Sequence, residues 1–342
     1  MSDSFNTLLG LVSSGQDLSQ EQMTDAIGQM MTGACSEEQI GLLLTALSAK
    51  GETVAEVAGA AAAMRANMTP IRSRHEKLLD TCGTGGGGSK TFNISTTAAL
   101  VIAAAGVPLA KHGNRSVTSK SGSADVLAEL GVNIDASVNQ VERCLDELGI
   151  CFCFAPLMHP AMKHVGAVRR KLGIRTIFNL LGPLSNPAGA CYQLLGVGRP
   201  EFRSLIAAAL GVLGVERALV VSGQDGLGEV TIGAATDVTL VDGTGENEFV
   251  WQPEDFGLAT VALDSIEIDT PADSAAIVRR VLAGEAGTAR DIVLINAAAG
   301  FLTAGKSNSQ EEAVALAKET IDRGAAAELL QKLADLSHTA AT

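Results

Sequence analysis

Apolar residues recur at helical spacing over the first seventy positions, and nothing there alternates as a strand does. Three helix-start signals divide the stretch: Ser19 with Gln22, Ser36 with Gln39, and Thr53 with Glu56. Each sets a hydroxyl three residues ahead of a side chain that can reach back to its amide. After Ser36, the residues Ile40, Leu43, Leu44 and Leu47 fall on one helical face. A small all-helical domain over residues 1–70 is predicted. The pattern then changes. Leu78 and Leu79 lead into Asp80 and a glycine-rich loop; residues 95–105 read as a helix and 107–110 as a strand. Residues 123–130 read as a helix closed by Gly131, and a fourth capping box, Ser137 with Gln140, opens one that ends at Gly149. Ile150–Phe154 returns as a strand, followed by a helix over 201–213 and a strand over 218–222. Strands separated by helices of 10–15 residues predict a large α/β domain over 71–342, with a central, mostly parallel sheet flanked by helices.

Composition narrows the partners. With 342 residues, 46% of them hydrophobic, a sizeable core is available and two structural units suit the length. Acidic residues outnumber basic ones 38 to 25, a net charge of −13, which argues against nucleic acid and anionic membrane. Residues 1–17 lack the basic start and apolar run of a signal peptide. The most apolar stretches are alanine-rich, broken by glycine and shorter than the ~20 residues of a membrane span. Of the six cysteines only Cys151 and Cys153 lie close together, alternating with Phe152 and Phe154 as in a buried strand. They read as core packing, since no His or Cys cluster completes a metal site. A cytoplasmic protein is expected.

Candidate chemistry concentrates between Asp80 and Ser123. Gly83, Gly85, Gly86, Gly87 and Gly88 lie between a strand and a helix, where bare backbone amides can approach an anion. Thr91, Asn93, Ser95 and Thr96 add polar groups at the helix start. Lys111, His112, Asn114, Arg115, Ser116, Thr118, Ser119 and Lys120 follow as a second, basic loop. This density of donors in an acidic chain suits a ligand with several phosphates. A dinucleotide fingerprint would need an acidic residue about 20 positions on, where Lys111 and His112 stand instead; a Walker A loop would need glycine, not Ser89, before Lys90.

The segments GTGG…TFNIST, KHGNRSVTSKSGSADVL, HPAMKHV…VR and GIRTIFNLLGPLSNPA together resemble the anthranilate phosphoribosyltransferases of tryptophan biosynthesis, in order and spacing over nearly the whole chain. The resemblance implies a helical domain joined to an α/β domain, a homodimer formed through the helical domains, and a segment near 165–185 that crosses back to them. It implies PRPP contacts at Gly83, Gly86, Gly87, Thr91, Asn93, Ile94, Ser95 and Thr96, then at Lys111, His112, Gly113, Asn114, Arg115, Ser116, Val117, Thr118, Ser119 and Ser123. It implies anthranilate contacts at Gly83, Asn114 and Arg169, and the Arg169 fork suits a planar carboxylate. His159 resembles a residue lining the anthranilate tunnel. Magnesium is implied at Ser95 and Glu229.

Two positions depart from the family pattern. Gly87 stands where GTGGDG has its aspartate, and Gly228 where DGLDE has its second. A second magnesium is therefore in doubt, unless substrate oxygens or Asp225 supply the lost ligands. The implied reaction needs no strong base, because the arylamine is already neutral. It rests on positioning and on stabilising the leaving pyrophosphate, with Lys111 and Arg169 as the electrostatic residues. Alternatives are a pyrimidine nucleoside phosphorylase-like enzyme and a catalytically weakened relative acting as a binding protein.

Overall fold

The computed structural model describes residues 2–85, 90–116 and 119–339. It opens with four helices: α1 (Ser2–Ser13), α2 (Gln20–Met31), α3 (Glu37–Lys50) and α4 (Val54–Ala66). The capping boxes form where the sequence places them, at the starts of α2, α3 and α4. Next come β1 (Leu79–Gly83), α5 (Ile94–Ala104), β2 (Leu109–Gly113), α6 (Ser123–Glu129), α7 (Val138–Leu148) and β3 (Ile150–Phe154). Three short helices follow: α8 (Ala155–Met158), α9 (Lys163–Leu172) and α10 (Phe178–Leu181). Then come β4 (Tyr192–Gly196), α11 (Arg203–Val212), β5 (Arg217–Gly223), β6 (Thr236–Asp242) and β7 (Gly245–Trp251). Helices α12 (Pro271–Leu282), α13 (Thr288–Thr303), α14 (Gln310–Asp322) and α15 (Ala325–His338) end the chain. The helical unit and the α/β unit expected from the sequence are both present.

The seven strands form one sheet in the order β3-β2-β1-β4-β5-β6-β7. Pairing is parallel from β3 through β5 and antiparallel from β5 to β7. The chain steps outward from β1 to β2 and β3, then returns to lay β4 on the other side of β1. In such a sheet the crevice beyond the carboxyl ends of the two strands at the reversal is where ligands bind.

Two apolar layers enclose the sheet. One gathers α5, α7 and α12 to α15. The other joins α1 to α4 with α9, α10 and α11 over Leu195, Val197, Ala218 and Val220. Helix α9 returns to pack on α2 and α3, burying Val165 and Val168. Arg175, just beyond it, pairs with Glu52 at 2.6 Å and stacks on Phe202. At the far edge of the sheet, Trp251 closes the β6–β7 hairpin edge-on between Phe249 and Phe256, 5.4 and 5.1 Å away.

The strand β2 starts two residues later than its apolar run suggests and continues through Lys111 and His112 to Gly113. Pro108 cannot donate to a ladder. The two polar residues stay in the strand because partners on neighbouring elements receive their side chains.

Candidate active site

The ends of β1 and β2 carry a buried polar group that apolar periodicity did not single out. Asp80, fully enclosed, accepts from the His112 amide at 3.2 Å and from Asn186 Nδ2 at 2.8 Å. Asn186 also donates to the Ala110 carbonyl, so it ties the 186 loop across both strands. Lys111, read from the sequence as part of the second, basic loop, is 4% exposed; its Nζ donates to the Thr81 carbonyl and lies 3.4 Å from Ser95 Oγ. Burial pulls its ammonium below the lysine range, while Asp80, Cys82 and Glu229 oppose that pull. Burial likewise raises Asp80 against the pull of Lys111. An enclosed cation among acids holds a fixed positive potential beneath the crevice.

Ser95, in the first turn of α5, meets Glu229 from the loop after β5. Burial lifts the Glu229 carboxyl to about 7, against Lys111 and hydrogen bonds from the Ser95 amide and hydroxyl. One helical position on, the Thr96 hydroxyl is buried with no hydrogen-bond partner among the described residues. Hydroxyl and carboxylate oxygens side by side are hard donors of the kind magnesium takes, and the residues present fit that ion. Among the described residues no three His, Cys, Asp or Glu side chains cluster as a metal cage. Substrate and water oxygens would have to complete the shell.

Asp225 does not lean in. Its Oδ1 accepts from the Leu227 amide at 3.0 Å and its Oδ2 from Thr231 Oγ1 at 2.6 Å, closing the turn that carries Glu229. Gly228 has its own packing reason: a Cβ there would lie 2.8 Å from Gly198 N and 3.0 Å from its Cα. A Cβ on Gly196 would in turn run into the Gly228 carbonyl. The loop thus lies backbone against backbone on the end of β4. Gly228→Asp must displace that loop and should cost about 1–3 kcal/mol in urea unfolding. Calorimetric titration should show no tight magnesium binding to the variant without PRPP; unchanged stability with tight binding would overturn this account.

The donor loops are built on small, close contacts. Asn93, ahead of α5, accepts from Ser121 Oγ at 2.7 Å and Ser274 Oγ at 2.8 Å, and donates to the Ser121 carbonyl. Gly83 ends β1 facing the Gly196 carbonyl, and Thr91 bridges to Glu267. Ile94 is core, so only its backbone faces the loop. Gly113 leaves no room for a Cβ beside Ser123 and Phe152. Asn114 and Arg115 are exposed; Arg115 pairs with Asp125 at 3.0 Å, and Asp125 also takes the Ser116 amide at 2.8 Å. Ser116 Oγ donates to the Ser119 carbonyl. Gly86, Gly87, Val117 and Thr118 lie outside the described residues.

Arg169, on α9, stacks on Phe178 at 5.3 Å and reaches Asn179 Oδ1 at 3.5 Å. Burial lowers its guanidinium from the usual range, and among the described residues no carboxylate pairs with it. A desolvated cation with no counter-ion favours an incoming anion. His112 turns the other way: its Nδ1 meets the Gly182 carbonyl at 3.0 Å and its Nε2 meets His159 Nε2 at 3.2 Å. The carbonyl fixes His112 as the Nδ1–H tautomer, so His159 donates from Nε2.

Comparison with known proteins decides the relationship. Residues 6–68 match the helical bundle domain of a glycosyl transferase family, and residues 75–327 its a/b domain. The anthranilate phosphoribosyltransferase of Moorella thermoacetica is 50% identical over 322 residues, 94% of this chain and 95% of that one. The chain belongs to the anthranilate phosphoribosyltransferase family. The crystal structure of the Thermus thermophilus anthranilate phosphoribosyltransferase superposes with a TM-score of 0.91 at 42% identity, covering 97% of this chain and 99% of that one. The Saccharomyces cerevisiae anthranilate phosphoribosyltransferase, solved in complex with PRPP and Mg, superposes at 0.90 with 27% identity, covering 98% of each.

Set in an anthranilate phosphoribosyltransferase, the buried groups acquire a place that sequence reasoning gave only in part. It singled out Lys111, Ser95 and Glu229 but missed Asn186, Ser121 and Ser274, which hold the loops. Asp80, a charge closing an apolar strand directly before the glycines, carried a readable signal. The other three lie 28 to 181 residues from the groups they bind, and nothing local marks them.

Proposed function

We propose that this chain transfers the phosphoribosyl group of PRPP to the amino group of anthranilate, releasing pyrophosphate. The observation that carries the reading is the buried Lys111 ammonium set beside Thr81, Ser95 and Glu229 at the strand reversal. That is where charge leaving the ribose would collect. Lys111, and the amides of the loop that begins at Gly83, stabilise the departing pyrophosphate. Ser95 and Glu229 would hold magnesium, which when bound adds Lewis-acid neutralisation of the same charge. Arg169 takes the anthranilate carboxylate and, with Asn114, sets the neutral amine over the ribose, so no base is required. The exposed Arg115 platform over Phe154, with Ser116, Ser119 and Ser123, would line the phosphates. A homodimer through the helical domains fits the exposed Leu42 on α3. We assign the segment near 165–185 to the helical domain, whose apolar cluster it shares, and place the protein in the cytoplasm. No helix among the described residues is long and apolar enough to cross a membrane.

The test is loss of anthranilate fluorescence on adding PRPP and magnesium. Phosphorolysis of a pyrimidine nucleoside with no anthranilate turnover would favour the phosphorylase reading instead. Arg169→Ala should raise KM for anthranilate by about 10- to 150-fold, the loss of about 1.5–3 kcal/mol from a charge-assisted contact. PRPP affinity should hold; an equal fall in both would remove Arg169 from the acceptor side.

A further inference from the structure

Helix α13 is buried from Ile292 to Phe301, and in that run Asn296 is the lone polar side chain. An enclosed amide is costly unless its hydrogen bonds are made. Asn296 makes them to one residue outside the helix. Its Oδ1 accepts the Val230 amide at 3.1 Å, and its Nδ2 donates to the Val230 carbonyl at 2.7 Å and the Ile292 carbonyl at 2.8 Å. The orientation is fixed by chemistry, since the flipped amide would set NH2 against N–H and oxygen against two carbonyls. Val230 follows Glu229 directly and is itself fully buried.

The same helix packs on α5, which carries Ser95. Gly300, one turn beyond Asn296, sits against Ile102 so closely that a Cβ would meet the side chain, with Ile102 Cγ1 at 3.1 Å and Leu79 Cδ2 at 3.5 Å. Ala297, Ala298 and Ala299 between them are all enclosed. One rigid helix therefore fixes both sides of the donor pair: Ser95 through the glycine contact, and Glu229 through the clamp on its neighbour's backbone.

We infer that Asn296 is a positioning residue for the magnesium site, holding the Glu229 carboxylate at the distance from Ser95 that the ion requires. It touches neither substrate nor metal and acts through the Val230 peptide. The inference rests on the reading of Glu229 as the metal carboxylate. Hydrogen bonds that orient metal-holding groups are worth about 10- to 100-fold in metal affinity, and the Asn296 clamp acts on Glu229 one peptide further out.

The experiment is calorimetric titration of PRPP over a range of magnesium concentrations, on the full chain and on N296A, E229Q and the double variant. Melting temperatures are recorded in parallel, and N296S serves if N296A does not fold. Expected are a rise of about tenfold or more in the magnesium needed for half-maximal PRPP binding in N296A, and unchanged anthranilate binding measured without metal. In the E229Q background, N296A should add less than about twofold, because residues acting through one group are not additive. If E229Q leaves the magnesium requirement where it was, the metal reading itself fails. If E229Q shifts the requirement while N296A does not, or N296A shifts it equally with Gln at 229, Asn296 is only a packing residue and the inference is overturned.

Discussion

Replacing Lys111 with Met should destabilise the protein by about 3–5 kcal/mol and abolish transfer together. The sequence presents this lysine as a loop cation that could be removed at little structural cost. The structure encloses it, and its ammonium faces Asp80, Cys82 and Glu229. Methionine fills the space of the stem but leaves the enclosed Asp80 without its compensating charge and drives Glu229 to take up a proton. Removing one partner from such a set is among the most damaging single changes known. Urea unfolding at constant m-value measures it. Adding Asp80→Asn to Lys111→Met should recover part of the loss, since one uncompensated charge then disappears. A loss below about 1 kcal/mol, or no coupling between the two changes, would mean that the ammonium does not stabilise those acids.

Stability should also fall steeply on acidification, through His112 and His159. Burial and their mutual contact depress His112 to about 3, and burial depresses His159 to about 4. An unfolded chain would protonate both near 6.5. Folded pKa values below the unfolded ones mean that the stabilisation is complete above about pH 6.5. It is lost as pH falls through the folded values, because the unfolded state takes up protons the folded state refuses. Two such groups give a limiting slope of about 2.7 kcal/mol per pH unit between roughly pH 6 and 4. Denaturant midpoints over that window, compared with a His112→Asn, His159→Asn variant, isolate the effect from Asp80, whose raised carboxyl acts with the opposite sign. Equal pH slopes in the two proteins would overturn it.

What was legible in the sequence followed from local rules. A hydroxyl with a carboxamide three residues on announced α2, α3 and α7, and with the Glu56 carboxylate α4, and each capping box forms. Alternating Cys and Phe announced β3, which is buried along its length. The glycine loop and the donors after it were visible as composition, and the family resemblance gave them an order. What was not legible came from distance and from backbone shape. Lys111 reads as one cation of a basic loop because its acidic neighbours arrive from β1 and from a loop 118 residues later. Asn296 reads as an interruption in an apolar helix until Val230, 66 residues away, is set beside it. Gly228 reads as a lost carboxylate until the backbone of Gly198 is found where its Cβ would go.

The chain has one tryptophan, and its position gives it an optical use. Trp251 lies in β7, four strand spacings from β1, about 19 Å across the sheet. With excitation at wavelengths that spare Tyr192, its emission reports the surroundings of Phe249 and Phe256 at that edge. Emission lost ahead of helical ellipticity on heating would mean that the antiparallel edge frays first. Any change in that emission on adding PRPP would have crossed the sheet strand by strand, making Trp251 a remote gauge of how far ligand binding stiffens the scaffold.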